Sequence, residues 1–122
     1  MIARSFDSNI LIDALNGHEP AHAEIASATY LHISRVTWIE VLSKVEEDQL
    51  PVVHRFLNRF EIDELDLVIA QRAAALRRER RRLKLADAVI LASAQEHGRI
   101  LVTRNIKDFP ATMPGIRVPY LL

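Results

Sequence analysis

Short β-type runs alternate along this chain with segments of helical spacing, and that alternation restricts the folds open to it more than any other feature. The runs are residues 1–6, 30-YLHIS-34, 61-EIDEL-65 and 100-ILVT-103, with 116-IRV-118 as a candidate last strand. Between them, 9-NILIDAL-15 puts Ile10, Leu11, Ala14 and Leu15 on one side of a helix and turns Asp13 away from it. Further helices are expected over residues 21–28, from Trp38 to about Asp48, and from Pro51 through Phe60. Another runs from Leu67 to Leu83, with Ala70, Ala73, Ala74, Leu76 and Leu83 as its apolar stripe, and a last one from Asp87 to Gly98, a glycine placed as a helix end. Connections this long suit parallel pairing. The expected architecture is α/β: a three-layer α/β/α sandwich around a central, mainly parallel sheet of four to five strands. At 122 residues, with no repeat or linker, the sequence is expected to form one domain over residues 1–122.

Composition removes several chemistries. The sequence has no cysteine, which excludes disulfides, thiolate zinc sites and a cysteine nucleophile, and it fits a reducing compartment. The opening MIARSFDSNI lacks the pattern of a secretory signal, and no apolar run approaches the roughly 18–20 residues needed to span a bilayer. The expectation is a soluble cytoplasmic protein with no membrane partner. The formal net charge is zero, so overall positive charge cannot draw this chain to nucleic acid. Its distribution is uneven, however. Between Arg72 and Lys84 lie seven cations against one acid, Glu79, while acids gather in 46-EED-48 and 61-EIDELD-66. A basic stripe of this kind can attract phosphates on a neutral protein.

In open parallel sheets, ligands bind beyond the carboxyl ends of the strands, where the chain leaves the sheet and helix N-termini point. Four acids fall where that rule would gather them. Asp7 follows the first strand, Glu40 comes just after the second, Asp87 opens the helix leading into the fourth, and Asp108 follows the fourth. Carboxylates brought together repel, and burial raises the pKa of some unless a cation compensates. Mg²⁺, or Mn²⁺ in its place, takes oxygen ligands and keeps several waters, so two directly bound aspartates with outer acids would suit it. Such a site can polarise a phosphoryl oxygen and activate water against a phosphodiester. Each acid also has a plainer reading. Asp7, followed by Ser8 and Asn9, fits a helix cap. Thr37 to Glu40 matches the capping box, Asp87 suits a helix N-terminus, and Asp108 suits a turn before Pro110.

Taken together the motifs resemble the PIN-domain endoribonucleases, specifically the VapC-type toxins of toxin–antitoxin pairs. The resemblance rests on 7-DSNILID-13, on Thr37 to Glu40 within 34-SRVTWIEVL-42, on 86-ADAVILASA-94 and on 102-VTRNIKDF-109, in that order over nearly the whole chain. It implies that Asp7 and Asp87 are direct Mg²⁺ ligands and that Glu40 is a third acid, on the metal directly or through water. Asp108 is the acid of the last motif, with Asn105 as its rival for the fourth polar position. Asn9, Thr37, Thr103 and Asn105 would be supporting residues. The resemblance also implies an RNA substrate, a homodimer, and an antitoxin that lays a segment along the groove with a basic side chain among the acids.

Two other readings stand beside this one. In the first, the chain is a catalytically silent RNA- or protein-binding module that uses the basic face of residues 72–84, with Arg77, Arg80, Arg81, Arg82 and Lys84 as its contacts; otherwise that face is merely solvated. The second is a receiver-like domain phosphorylated on Asp, which calls for an acidic pair early in the chain, and Asp7 has no adjacent acid. His18, His22, His32, His54 and His97 are scattered and suit packing or surface roles better than zinc.

Overall fold

The computed structural model describes residues 2–122. Five strands form a single sheet in the order β3-β2-β1-β4-β5. They are β1 (Ala3–Phe6), β2 (Tyr30–Ser34), β3 (Glu61–Asp63), β4 (Ile100–Val102) and β5 (Ile116–Arg117). Every pairing is parallel, with Phe6 opposite Val102 and Ser5 opposite His32. Six helices connect them: α1 (Ser8–Leu15), α2 (Glu19–Ser27), α3 (Arg35–Leu42), α4 (Leu50–Leu57), α5 (Leu67–Glu79) and α6 (Leu85–Glu96). The first strand was expected from Met1, which lies outside the described residues.

Adjacent strand residues face opposite sides, and this divides the core in two. Phe6, Ile33 and Val102 pack with Ile10 and Leu11 of α1, Ile25 of α2 and Leu57 of α4. Leu101 packs on the other side with Ile69 of α5, Ile90 and Leu91 of α6, Leu83 and Phe109. The two clusters are the two interfaces of a three-layer sandwich, as the alternation of elements predicts. Helix α6 is the most enclosed element, buried without a break from Ala88 to Ala94. Ala88, Ala92 and Ala94 keep that stretch slim.

Several expected boundaries move, among them the end of β3 at Asp63 rather than Leu65 and of α4 at Leu57 rather than Phe60. Helix α3 starts at Arg35 rather than Trp38, because the Ser34 hydroxyl caps it by accepting from the Val36 N–H at 3.1 Å. It also stops at Leu42, and a single 3₁₀ turn, Glu47–Gln49, precedes α4. Helix α5 ends at Glu79, not Leu83, so residues 80–84 are a loop pinned by buried Leu83. Of the stripe expected on α5, Ala73 is buried and Leu76 half-buried, whereas Ala70 and Ala74 are exposed; Ile69 provides the main anchor. Asp13 was expected to face away and does the opposite. It is buried, held by Arg104 at 2.6 and 3.0 Å and by the Tyr120 hydroxyl at 2.8 Å. The sequence pattern on α1 could not show this, since both partners lie about ninety residues or more further on.

Candidate functional site

The chain runs from β1 to β2 and β3 on one side of the sheet, then returns to β4 and β5 on the other, so its topological switch point lies between β1 and β4. Asp7 and Thr103 stand there, each the first residue past its strand, and the Asp7 N–H donates to the Val102 carbonyl at 2.9 Å. A crevice at this point is what the parallel-sheet rule predicts. Asp7 caps α1, accepting from the Ser8 N–H at 2.7 Å. Its second carboxylate oxygen accepts from the Thr103 hydroxyl at 2.8 Å and from Asn9 Nδ2 at 3.3 Å. The cap and the site are therefore one residue doing both. Asp7 is almost completely buried, and burial raises its pKa above the usual carboxylate range, opposed by the hydrogen bonds from Thr103 and Ser8.

Glu40 enters from α3. The capping box expected for it does not form, because Ser34 is the cap and Thr37 lies inside the helix. Instead Glu40 Oε1 accepts from the Ser8 hydroxyl at 2.5 Å, and the same hydroxyl lies 3.3 Å from Asp7 Oδ1. Ser8 thus bridges two acids, a role that nothing in the sequence marks, since Ser8 and Glu40 are 32 residues apart.

Asp87, in the first turn of α6, makes no hydrogen bond among the described residues. Its carboxyl is pushed up to about 6, first by burial and then by the charges of Asp7, Asp108 and Glu40, with Lys84 pulling the other way. The positive end of α6 also favours the ionised form. A carboxylate with three acidic neighbours and no donor of its own needs a cation more than any other group in the site.

Asp7, Asn9, Glu40, Asp87 and Asn105 line one open pocket of about 470 Å³, together with Ser8, Lys44, Arg104 and Lys107. The remaining expected residues lie outside its walls. Thr103 is buried behind it, accepting from Asn9 and from the Asn105 N–H while donating to Asp7. Asp108 accepts from Asn105 Nδ2 at 3.1 Å and faces a neighbouring cleft, although its charge reaches Asp87. Thr37 is fully buried, and its hydroxyl meets no partner among the described residues. Arg77 donates Nε to the Leu83 carbonyl at 3.1 Å, and Arg80 donates Nη2 to the Asp108 carbonyl. A groove of about 500 Å³ between α5 and α6 is lined by Leu65, Ala73, Leu85 and Val89 with Arg77, Arg78 and Arg81, and has none of these acids in its walls.

Arg104 ties the site to the fold. Its backbone N–H donates to Asn9 Oδ1 at 3.3 Å while its guanidinium grips Asp13 in two hydrogen bonds. Burial alone would raise the Asp13 pKa, but the hydrogen bonds from Arg104 and Tyr120 bring it below the usual carboxylate range. This pair fixes the loop after β4 against α1, and Asn9 and Asn105 extend from those two elements.

The chain matches the PIN domain family over residues 5–112 and belongs to it. Among its relatives, a Mycobacterium tuberculosis protein named Ribonuclease VapC10 is 32% identical over 111 residues, covering 85% of this chain and 84% of that one. A chain of a toxin–antitoxin complex from Klebsiella pneumoniae superposes with a TM-score of 0.91 at 40% identity, covering 98% of this chain and 100% of its own. A chain of the DNA-bound VapBC of Salmonella typhimurium gives 0.78 at 26% identity, with 96% of each covered.

Proposed function

We propose that this chain is a Mg²⁺-dependent endoribonuclease, the toxin of a toxin–antitoxin pair that acts in the cytoplasm as a homodimer. The observation that carries the reading is the Asp87 carboxylate, without a hydrogen-bond donor and facing Asp7 and Glu40 at the switch point of a PIN domain. The acids fit a hard divalent cation, since Asp7, Glu40 and Asp87 offer carboxylate oxygens and their charges act against one another. Among the described residues no three acidic or histidine side chains converge closely enough to cage an ion by themselves. Magnesium does not require that, because it keeps several waters and takes one or two carboxylates directly. When bound, the ion supplies charge neutralisation and Lewis-acid polarisation of a phosphoryl oxygen.

The chain's own residues then divide the work. Asp7 and Asp87 hold the cation, and Thr103, Asn9 and Ser8 fix the orientation of the Asp7 carboxylate. Glu40 is oriented through Oε1 by Ser8, and its Oε2 has no partner among the described residues. That free oxygen would accept a proton from the attacking water as the water oxygen bonds to phosphorus and the P–O bond to the leaving group breaks, the leaving oxygen taking its proton from solvent. Asn105 ties the Asp108 loop to the site and occupies the pocket's polar rim. The antitoxin binds as a partner protein, as in the complexes formed by the structural relatives. The test is cleavage of RNA in Mg²⁺ and in EDTA by the parent and by Asp7→Asn, with calorimetric titration of Mn²⁺ into both. Metal-dependent cleavage and metal binding should both be lost in the variant; full activity in folded Asp7→Asn would sink the assignment.

A further inference from the structure

The arginines of this chain differ in how they are partnered. Arg35, Arg72, Arg99, Arg104 and Arg117 are each committed to an acid, Glu64, Glu96, Asp63, Asp13 and Glu24 in turn. Arg81, Arg82 and Lys107 have no ion pair or hydrogen bond among the described residues, and all three line one cleft of about 360 Å³. A solvated helix face does not account for Arg81 and Arg82, because α5 ends at Glu79 and both lie in the loop beyond it. Nor does the helix dipole, whose benefit falls on Arg77 and Arg78 in the last turn.

The cleft is held in place. Buried Leu83 anchors the loop, its N–H donating to the Arg80 carbonyl at 3.0 Å. Arg80 crosses to the loop after β4 and donates to the Asp108 carbonyl, so the strip carrying Arg81 and Arg82 is tied to the strip carrying Lys107. Lys107 also lines the acid pocket, and Asp108 lies in the cleft while its charge reaches Asp87. The basic cleft and the acid pocket therefore share a wall. Arg81, Arg82 and Lys107 are exposed cations lining one cleft, and a polyanion that passes the acid pocket meets their positive charge there.

We propose that Arg81, Arg82 and Lys107 form a backbone-phosphate subsite that seats the RNA strand beside the acid pocket, with Arg80 as the positioning residue that ties its two walls. The subsite rests on the ribonuclease reading of the pocket and adds the path of the substrate across it. Contacts of this kind carry no sequence preference, so the subsite sets register and affinity and leaves choice of sequence to other groups.

The test is RNA binding to the Asp7→Asn protein in Mg²⁺, followed by fluorescence anisotropy against KCl concentration. Each phosphate contact to a single strand contributes about 0.7 to the slope of log K against log salt. Adding Arg81→Gln/Arg82→Gln should lower that slope by about 1.4 and weaken binding at least about tenfold near 0.1 M salt, and Lys107→Gln should remove about 0.7 more. Arg55→Gln on α4 combined with Arg59→Gln just beyond its end removes the same number of charges and should leave the slope nearly unchanged. Equal losses in the two double variants would overturn the subsite, and so would an unchanged slope in Arg81→Gln/Arg82→Gln. If the parent chain fails to cleave RNA in Mg²⁺, the ribonuclease reading falls while the slopes still decide whether the cleft holds phosphates.

Discussion

Replacing Asp87 by asparagine should move stability and activity in opposite directions. The carboxyl titrates at about 6 against an ordinary 3.8, raised by burial and then by Asp7, Asp108 and Glu40. A carboxyl whose folded-state pKa lies above its unfolded value makes the fold less stable as pH rises, and the loss accumulates from about pH 4 and is complete above about pH 6. At about 1.36 kcal/mol per tenfold change in proton affinity, the gap between 3.8 and about 6 amounts to about 3 kcal/mol. Asp87 is partly exposed, and solvent screening reduces the figure to about 1 kcal/mol. In metal-free buffer at pH 7.5, Asp87→Asn should therefore melt about 4 °C above the parent. At pH 4.5 a larger share of the parent's folded carboxyls is protonated, and the advantage should shrink. RNA cleavage should fall about a hundredfold or more, since in the proposed metal site the loss of a direct ligand costs at least what loss of an outer-shell partner does. Scanning calorimetry in EDTA at the two pH values, with a cleavage assay in Mg²⁺, tests each part. A variant less stable than the parent at pH 7.5, or a gain undiminished at pH 4.5, would refute the claim that uncompensated charge dominates this site.

Three further outcomes follow from the geometry. Ser8→Ala removes the hydroxyl between Asp7 and Glu40, and cleavage at saturating RNA should drop about tenfold while urea unfolding shifts by less than about 1.5 kcal/mol. Arg104→Ala leaves Asp13 buried with only Tyr120 as a donor and should cost about 2–3 kcal/mol in urea unfolding; adding Asp13→Asn should recover part of that loss, and strict additivity would deny the pair its role. Gly98→Ala forces a side chain to φ +63° at the end of α6, where there is open space but an unfavourable backbone, and should cost about 1 kcal/mol with activity retained.

The order of elements was legible in the sequence because apolar periodicity and punctuation by proline and glycine are local. The strand after residue 100 and the helix ending near Gly98 needed nothing from elsewhere in the chain. The positions of Asp7, Glu40 and Asp87 could also be read, because the carboxyl-end rule converts strand order into a place in space. Local reading failed where a distant partner decides the outcome. Periodicity on α1 turned Asp13 outward, whereas Arg104 and Tyr120 make its burial favourable from far along the chain. The arginine run likewise looked like a continuous helix face until Leu83, buried against the α6 side of the sheet, pulled residues 80–84 into a loop.

By itself, then, the sequence determined the parallel sandwich and the acids at its switch point, since both follow from spacing along the chain. Only the tertiary structure decided that Ser8 joins Asp7 to Glu40, that Asp87 is left without a donor, and that Arg80 closes a basic cleft beside the acids. Those facts depend on which side chains meet across 28 to 32 residues of intervening chain, or on what fails to meet them. Hydrogen bonding and desolvation act through space, and no one-dimensional pattern encodes them.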